Sequence, residues 1–268
     1  MTLNVDDALV DQIIAAAREA GQKILEIYNS EFTVQAKDDK SPVTEADEAS
    51  EEIIVRHLEA IDPSIPYIAE EAYGRGHRPD VSGGTFWLVD ALDGTKEFIR
   101  RNGEFTVNIA LIKNGVPVLG IVHVPALNTT YWGGPSGAFR QVDGGAAEHI
   151  AVRRAPEEGL TVMTSRSHRS EEGEFLAKYK VKNEINAGSS LKFCLVAAGE
   201  ADFYPRLGPT MEWDTAAAHA VVNAAGGIVC DMAGRELRYN KIDLHNPEFL
   251  VLPAADQALL GLVIGNRR

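Results

Sequence analysis

The stretch WLVDALDGTKEF, residues 87–98, passes from strand-like composition directly into two carboxylates and a glycine turn. Residues 86–89 are apolar and aromatic, as in a covered strand, and Asp90 follows where the end of that strand opens into a loop. A tight turn between Asp90 and Asp93 can aim both carboxylates and the Leu92 carbonyl at one small volume. Hard cations such as Mg²⁺ prefer oxygen ligands in that arrangement, and Gly94 lets the backbone come close to a ligand.

The residue after this glycine adds a second kind of ligand group. Thr95 offers a hydroxyl and an N–H where a helix is predicted to begin, and free N–H groups there favour a phosphate oxygen. The alternative is an ordinary Asp-Gly turn that caps a helix. The short motif alone favours the turn and the metal site about equally, so the rest of the chain must decide between them.

Composition limits the class of protein. The chain has 268 residues and a formal net charge of −13, which argues against broad contact with nucleic acid or anionic lipid, since these recruit positive surfaces. The length allows one large or two small folding units. Cys194 and Cys230 lie in apolar surroundings and are predicted to be buried structural thiols rather than a disulfide or a zinc site, which suits a reducing compartment.

The chain is predicted to be soluble and cytoplasmic. Residues 1–11 lack a basic start followed by a long apolar run, and no later stretch approaches the roughly 20 apolar residues that span a bilayer. Peripheral association with the inner face of the cell membrane is an alternative that no basic amphipathic segment supports. We expect a division near residues 140–160, between an N-terminal α+β half (1–150) and a C-terminal α/β half (151–268).

In the N-terminal half, apolar spacing predicts helices over residues 5–28 and 44–60, separated by an exposed hairpin at residues 37–47. Asp47 falls in the first turn of the second helix, where it interacts favourably with the helix dipole; a metal role is the alternative. Residues 65–69 are predicted to form a strand that delivers Glu70 and Glu71, of which only one can face a given site.

The remaining chain alternates between strand and helix patterns. Strands are predicted at residues 104–113, 116–124, 129–132, 160–164 and 181–186, and helices at 170–179, 189–199 and 215–225. Gly188, Ser189 and Ser190 precede a helix, where their N–H groups and hydroxyls could hold an anion. A plain N-cap is the alternative for Ser189, and Asp214 also has an ordinary capping explanation.

Several groups of residues, in order along nearly the whole chain, resemble the signatures of the inositol monophosphatase superfamily. They are KSPVTEAD at 40–47, AEE at 69–71, WLVDALDGT at 87–95 and WDTAA at 213–217. Within that superfamily, the KEF that follows and YPRLGPTMEWD at 204–214 are similar to bacterial 3'(2'),5'-bisphosphate nucleotidases. Inositol monophosphatases tend to carry Thr-Asn-Phe after the turn instead.

The resemblance implies a layered αβαβα sandwich and a site with two or three Mg²⁺ ions. The implied reaction removes the 3'-phosphate of adenosine 3',5'-bisphosphate, with 3'-phosphoadenylyl sulfate as a further substrate. By position, the implied metal ligands are Glu70, Asp90, the Leu92 carbonyl, Asp93 and Asp214, with Asp47 placing a further, weaker ion.

The same resemblance implies the other roles in the site. Thr95, paired with Glu70, would orient the attacking water, and Asp47 completes the implied catalytic set. The implied substrate contacts are Glu70, Leu92, Asp93, Gly94, Thr95, Gly188, Ser189, Ser190, Lys192, Arg206 and Asp214. The implied partner is a small nucleotide; nucleic acid and an integral membrane segment are not expected, and a homodimer is compatible with the resemblance.

Two residues depart from the family pattern. Ala91 stands where proline is usual, which removes a fixed φ from the metal loop; we expect weaker metal binding with retained activity. Ala218 stands where glycine is expected. His219 is predicted to be packed or exposed rather than catalytic.

Two alternative functions stay open. The nearest is a phosphatase of the same superfamily that acts on inositol 1-phosphate or another small sugar or alcohol monophosphate. The other, from a different class, is a weakly catalytic protein that binds a phosphorylated metabolite. Retention of Asp90, Asp93, Thr95, Glu70 and Asp214 argues for turnover.

Overall fold

The computed structural model describes residues 3–36, 42–164, 169–256, 259 and 261. Residues 37–41 of the predicted hairpin, and with them the start of the first signature, lie outside the described residues. The helices are α1 (Asp7–Tyr28), α2 (Glu45–Ile61), α3 (Glu70–Gly74), α4 (Thr95–Ile99), α5 (Arg169–Leu176), α6 (Leu191–Ala197) and α7 (Glu212–Ala224), with a 3-10 turn at Pro125–Leu127.

The strands form one large sheet and several smaller ones. In the N-terminal half they are β1 (Val34–Ala36), β2 (Pro42–Thr44), β3 (Tyr67–Ala69), β4 (Thr85–Asp93), β5 (Thr106–Lys113), β6 (Val116–Val124), β7 (Thr129–Gly134), β8 (Gly137–Val142) and β9 (Glu148–His149). In the C-terminal half they are β10 (Leu160–Thr164), β11 (Val181–Asn186), β12 (Tyr204–Arg206), β13 (Gly227–Asp231) and β14 (Phe249–Pro253).

A seven-stranded sheet with the order β3-β4-β5-β6-β7-β8-β9 carries the N-terminal half. Only the β3–β4 pair is parallel; the later neighbours are antiparallel. Successive residues of β4 belong to different core clusters: Trp87 and Val89 pack with α1 and α2, and Phe86 and Leu88 pack with α6 and α7. Because both faces of the sheet are covered, residues 86–89 of β4 are apolar at successive positions rather than at alternate ones.

The C-terminal half adds a second layer of strands. β10 pairs in parallel with β11, β14 lies between β12 and β13, and a bridge from Val162 to Phe203 links the two groups. Helices α6 and α7 lie between this layer and the seven-stranded sheet, and α5 covers the far face through Phe175 and Leu176. The succession of layers is αβαβα, as the resemblance implies.

Helix α7 lies unusually close to the seven-stranded sheet. A Cβ built on Gly120 of β6 would lie 2.1 Å from the Ala217 carbonyl oxygen, and one on Gly133 of β7 would lie 2.5 Å from Val221 Cα. Real Cβ atoms essentially never approach other atoms this closely, so only glycine fits at these positions. Ala218, in the same helix, is completely buried.

The structure confirms most of the predicted elements. Strands 116–124, 160–164 and 181–186 have the predicted bounds, whereas α7 begins three residues before the predicted residue 215. Strands β12 to β14 were not predicted. The last strand of the large sheet ends at His149 and the next begins at Leu160, so the predicted boundary falls between two sheets; the division into two halves stays a prediction.

Predictions for individual side chains are also confirmed. Cys194 and Cys230 are buried free thiols. His219 is completely buried and its Nδ1 lies 2.8 Å from the Tyr239 hydroxyl, so it is packed rather than catalytic. None of the helices in the described part of the chain combines the length and apolar composition needed to cross a bilayer.

Candidate active site

Strand β4 continues through both carboxylates, so the expected tight turn between Asp90 and Asp93 is wrong. Asp90 pairs with Asn108 and Asp93 pairs with Thr106, which leaves one extra residue on β4 and makes a β-bulge. A bulge bends its strand and redirects the neighbouring side chains. The Leu92 N–H donates to Asp90 Oδ1 at 3.0 Å, which fixes the aspartate within the bulge.

Gly94 ends the strand with a left-handed backbone, φ 94°, and α4 begins at Thr95 as predicted. A Cβ on Gly94 would lie 2.1 Å from Ser189 Oγ. The glycine is therefore required twice, by its backbone conformation and by this close neighbour. Gly94 thus allows the β-bulge of β4 to lie against the segment that precedes α6.

The carboxylates of Glu70, Asp90 and Asp214 meet at the bulge. Each contributes an oxygen, and these oxygens all lie within 4.8 Å of one another. Glu70 begins α3, directly after β3, and Asp214 lies in the first turn of α7, where it also accepts a hydrogen bond from the Met211 N–H at 2.9 Å. The capping explanation and the site explanation of Asp214 are therefore compatible.

These carboxylates line a cavity of about 400 Å³, the main cavity, with Leu92, Asp93, Gly94 and Thr95 also in its wall. Burial raises the pKa of Asp90 well above its usual range, and the charges of Glu70, Asp93 and Asp214 raise it further. Burial raises the pKa of Asp214 in the same way, reinforced by the charges of Asp93 and Glu70. Three carboxylates whose hard oxygen donors lie this close together, with Asp90 buried and Glu70 and Asp214 partly buried, fit a divalent cation such as Mg²⁺.

Asp93 belongs to the same wall but is held differently. Its Oδ2 accepts a hydrogen bond from the Ser190 N–H at 2.7 Å. Burial raises the pKa of Asp93 to about 6, against the opposing effects of the Lys192 charge and that hydrogen bond. Asp93 is not one of the three residues whose oxygens cluster most closely, so its predicted role as a ligand stays a prediction.

Asp47 and Thr95 form a linked pair beside the cluster. Asp47 Oδ2 accepts hydrogen bonds from the Thr44 N–H and hydroxyl, both at 2.8 Å, and Asp47 Oδ1 accepts one from the Thr95 hydroxyl at 3.1 Å. Asp47 therefore caps α2 and reaches the main cavity through Thr95. The predicted pairing of Thr95 with Glu70 stays a prediction.

In the segment before α6, backbone N–H groups donate hydrogen bonds to carboxylates of the protein itself. Gly188 N–H donates to Glu104 Oε2 at 2.9 Å, as Ser190 N–H does to Asp93. Ser189 is not the N-cap: its hydroxyl donates to the carbonyl oxygens of Asp93 and Glu104, and Ser190 occupies the N-cap position. These residues reach the site, but the prediction that they hold a substrate anion stays a prediction.

A second cavity, of about 180 Å³, adjoins the main cavity, and we call it the side cavity. Lys192 and Arg206 line it together with the aromatic rings of Phe193, Tyr204 and Phe249. Burial lowers the pKa of Lys192 to about 8, although the Asp93 charge acts in the opposite direction. Cationic and aromatic groups in one concave wall fit a ligand that has both an anionic group and a flat ring.

Several lining residues were missed by the sequence reasoning. Lys96 and Glu97 line both cavities, and His245 lines the main cavity. Lys96 and Glu97 directly follow the metal motif, so their place in the sequence was an available signal. His245 had none, because it reaches the site through a bridge between its backbone and that of Met211.

Metal removal should change stability in a pH-dependent way. Above pH of about 4, where unfolded aspartates are charged, the raised pKa values of Asp90, Asp93 and Asp214 make the metal-free folded state less stable as pH rises. Burial lowers the pKa values of His123 and His219, and these two histidines therefore make the folded state more stable as pH rises. The informative quantity is therefore the difference between protein with Mg²⁺ and protein with chelator.

We expect Mg²⁺ at about 100 times its Kd to add about 2.7 kcal/mol to the free energy of unfolding. The gain in melting temperature over chelated protein should increase between pH 5.5 and 7.5. Thermal scans at several pH values measure it, with K⁺ at equal ionic strength as the control. A melting temperature indifferent to Mg²⁺ and chelator would show that the carboxylate cluster holds no cation.

The chain is similar in sequence to known proteins over most of its length. A sequence model described as the inositol monophosphatase family matches residues 6–264. The 3'(2'),5'-bisphosphate nucleotidase CysQ of Escherichia coli (strain K12) is 44% identical over 247 residues, covering 91% of this chain and 99% of that protein. The protein of the same name from Buchnera aphidicola is 42% identical over 88% of this chain and 89% of its own length.

Solved structures of the same family superpose on nearly the whole chain. The crystal structure of CysQ from Bacteroides thetaiotaomicron, a bacterial member of the inositol monophosphatase family, superposes with a TM-score of 0.77 at 40% identity, covering 94% of this chain and 99% of that one. The Thermotoga maritima IMPase superposes with a TM-score of 0.78 at 27% identity, covering 97% of this chain and 98% of its own.

Proposed function

The chain belongs to the inositol monophosphatase family, and we propose that it is a Mg²⁺-dependent 3'(2'),5'-bisphosphate nucleotidase. It would remove the 3'-phosphate of adenosine 3',5'-bisphosphate, and that of 3'-phosphoadenylyl sulfate, to leave the 5'-nucleotide and inorganic phosphate. The observation that carries the proposal is the cluster of Glu70, Asp90 and Asp214 beside a cavity that contains Lys192 and Arg206.

The residues of the main cavity divide the chemistry among them. Glu70, Asp90 and Asp214, with Asp93 and the Leu92 carbonyl, would hold the metal ions, and Asp47 would place a further, weaker one. When bound, Mg²⁺ lowers the pKa of a water ligand and neutralises the phosphate oxygens, so no nucleophilic side chain is needed.

Thr95 is suited to orient the attacking water. Its hydroxyl hydrogen is directed to Asp47 Oδ1, so its oxygen lone pairs can accept a hydrogen bond from a water in the main cavity. Asp47 is fixed in turn by the two hydrogen bonds from Thr44. This chain of contacts presents one acceptor at a set position, which turns a lone pair of the water toward the phosphorus.

The side cavity supports a nucleotide rather than an inositol phosphate. A bisphosphate places one phosphate at the carboxylate cluster and requires a second positive region for the other. Lys192 and Arg206 supply it, and the rings of Phe193 and Tyr204 offer apolar surface for a base. An inositol monophosphate would leave these groups unused. The residues Gly188 to Ser190 would support the same part of the substrate.

The proposal is tested by measuring Mg²⁺-dependent phosphate release from adenosine 3',5'-bisphosphate and from inositol 1-phosphate under the same conditions. We expect kcat/KM to be at least about 100-fold higher for the nucleotide, equivalent to roughly 2.7 kcal/mol, because two charge-assisted contacts are lost with inositol phosphate. Preference for inositol 1-phosphate would assign the chain to the other branch of the family. Binding of the nucleotide without turnover would instead identify a sensor of phosphorylated metabolites.

A further inference from the structure

Glu97 lies in α4 where the two cavities meet. It lines both the main cavity and the side cavity. A Cβ built on Gly188 would lie 2.7 Å from Glu97 Cγ, and one built on Gly94 would lie 3.4 Å from Glu97 Oε2. The side chain is therefore packed between these two glycines, with its carboxylate at the junction of the cavities.

The charge of this carboxylate is unexpected in a site for an anionic substrate. In the described part of the chain, Glu97 has no side-chain hydrogen bond and no ion pair. Burial is the main cause of the raised pKa of Asp93, and the Glu97 charge raises it further. Burial lowers the pKa of Lys192, and the Glu97 charge acts against that effect. Glu97 is thus close enough to influence both groups without neutralising either.

A carboxylate in this position repels both phosphates of a nucleoside bisphosphate. Its favourable partner must be a hydrogen-bond donor on the uncharged middle of the substrate. With the scissile phosphate at Glu70, Asp90 and Asp214 and the base beside Tyr204, the ribose spans the junction. The donor on the ribose next to the scissile phosphate is the vicinal hydroxyl.

We infer that Glu97 accepts a hydrogen bond from the ribose hydroxyl adjacent to the scissile phosphate and so selects ribonucleotides over 2'-deoxyribonucleotides. The inference rests on the proposed function and adds a specificity-determining residue to it. Hydrogen bonds to charged groups are strong enough to discriminate by about 10- to 100-fold in kcat/KM. Removal of the hydroxyl would also leave the Glu97 carboxylate without its hydrogen-bond donor in the complex.

The test compares adenosine 3',5'-bisphosphate with its 2'-deoxy analogue for the wild-type enzyme and for Glu97→Ala and Glu97→Gln. The wild type should prefer the ribonucleotide by about 10- to 100-fold. Glu97→Ala should reduce this preference to less than about 3-fold, mainly through slower turnover of the ribonucleotide. Glu97→Gln keeps a carbonyl acceptor without the charge and should be intermediate. Glu26→Ala, on the exposed face of α1, should keep the wild-type ratio.

Other outcomes would overturn the inference in distinguishable ways. Equal loss of activity on both nucleotides in Glu97→Ala would indicate a general structural role. An unchanged ratio with a higher Mg²⁺ requirement would make Glu97 a metal-site residue. If the wild-type enzyme hydrolyses both nucleotides equally well, the inference about Glu97 is wrong and the proposed function still stands. If it hydrolyses neither nucleotide, both the inference and the proposed function are wrong.

Discussion

Replacing Asp90 with asparagine is expected to lower kcat/KM for the nucleotide by about 10³-fold, equivalent to about 4 kcal/mol of transition-state stabilisation. The same change should raise the free energy of unfolding of the metal-free protein at pH 7.5. Asp90 is buried against Glu70 and Asp214, and its pKa is raised first by burial and then by those carboxylates. Asparagine removes the charge but keeps an oxygen that can accept the Leu92 N–H.

The two effects of Asp90→Asn have opposite signs, which separates loss of metal chemistry from loss of structure. Steady-state kinetics over a Mg²⁺ titration measures the first, and urea unfolding in chelator measures the second. Asp80→Asn is the matched control: Asp80 is exposed and lines neither cavity, and asparagine keeps an oxygen that can accept the Ser82 N–H, so this variant should change neither quantity. A variant that is less stable than wild type without metal would refute the view that the cluster is strained by its own charge.

Gly120→Ala should reduce the free energy of unfolding by about 3 kcal/mol. The added Cβ would lie 2.1 Å from the Ala217 carbonyl oxygen, which is a backbone atom and not the end of a flexible side chain that could move aside. Helix α7 must shift away from β6, and Asp214 in its first turn must shift with it. The concentration of Mg²⁺ that gives half-maximal activity should therefore rise as well.

Thermal or urea unfolding and a Mg²⁺ titration of activity measure both effects of Gly120→Ala. The matched control is Gly173→Ala in α5, where an added Cβ meets nothing within 4 Å. That change should stabilise the protein by about 0.5–1 kcal/mol, since alanine has the higher helix propensity. If Gly120→Ala destabilises no more than about 1 kcal/mol, α7 can move at little cost and does not fix the position of Asp214.

The parts of the fold with a strong local pattern could be predicted from the sequence. The continuous apolar run of β4 predicts a strand covered on both faces, and Asn114-Gly115 predicts the hairpin between β5 and β6. Strand β12 is only three residues long and contains a proline, and it is stabilised by pairing with β14. Such a strand depends on a distant partner, so no local pattern marks it.

In the candidate site too, features that depend on distant parts of the chain could not be predicted from local sequence. Asp90 and Asp93 come after a recognisable apolar run, but the β-bulge between them in β4 depends on the register with β5. The sequence could not predict either that the Gly188 and Ser190 N–H groups donate hydrogen bonds to the carboxylates of Glu104 and Asp93. A helix start predicts an anion site, and the sequence does not say whether the anion belongs to a ligand or to the protein itself.

The meeting of Asp90 and Asp214 also has a consequence for the order of events during folding. The first lies in β4 and the second in α7, so a long loop must close before their carboxylates come together. Contacts between residues so far apart in the chain form late, and loop closure precedes any gain from them. Cation affinity is therefore a property acquired at the end of folding, and a nascent chain would not sequester Mg²⁺ at this site before α7 has been synthesised.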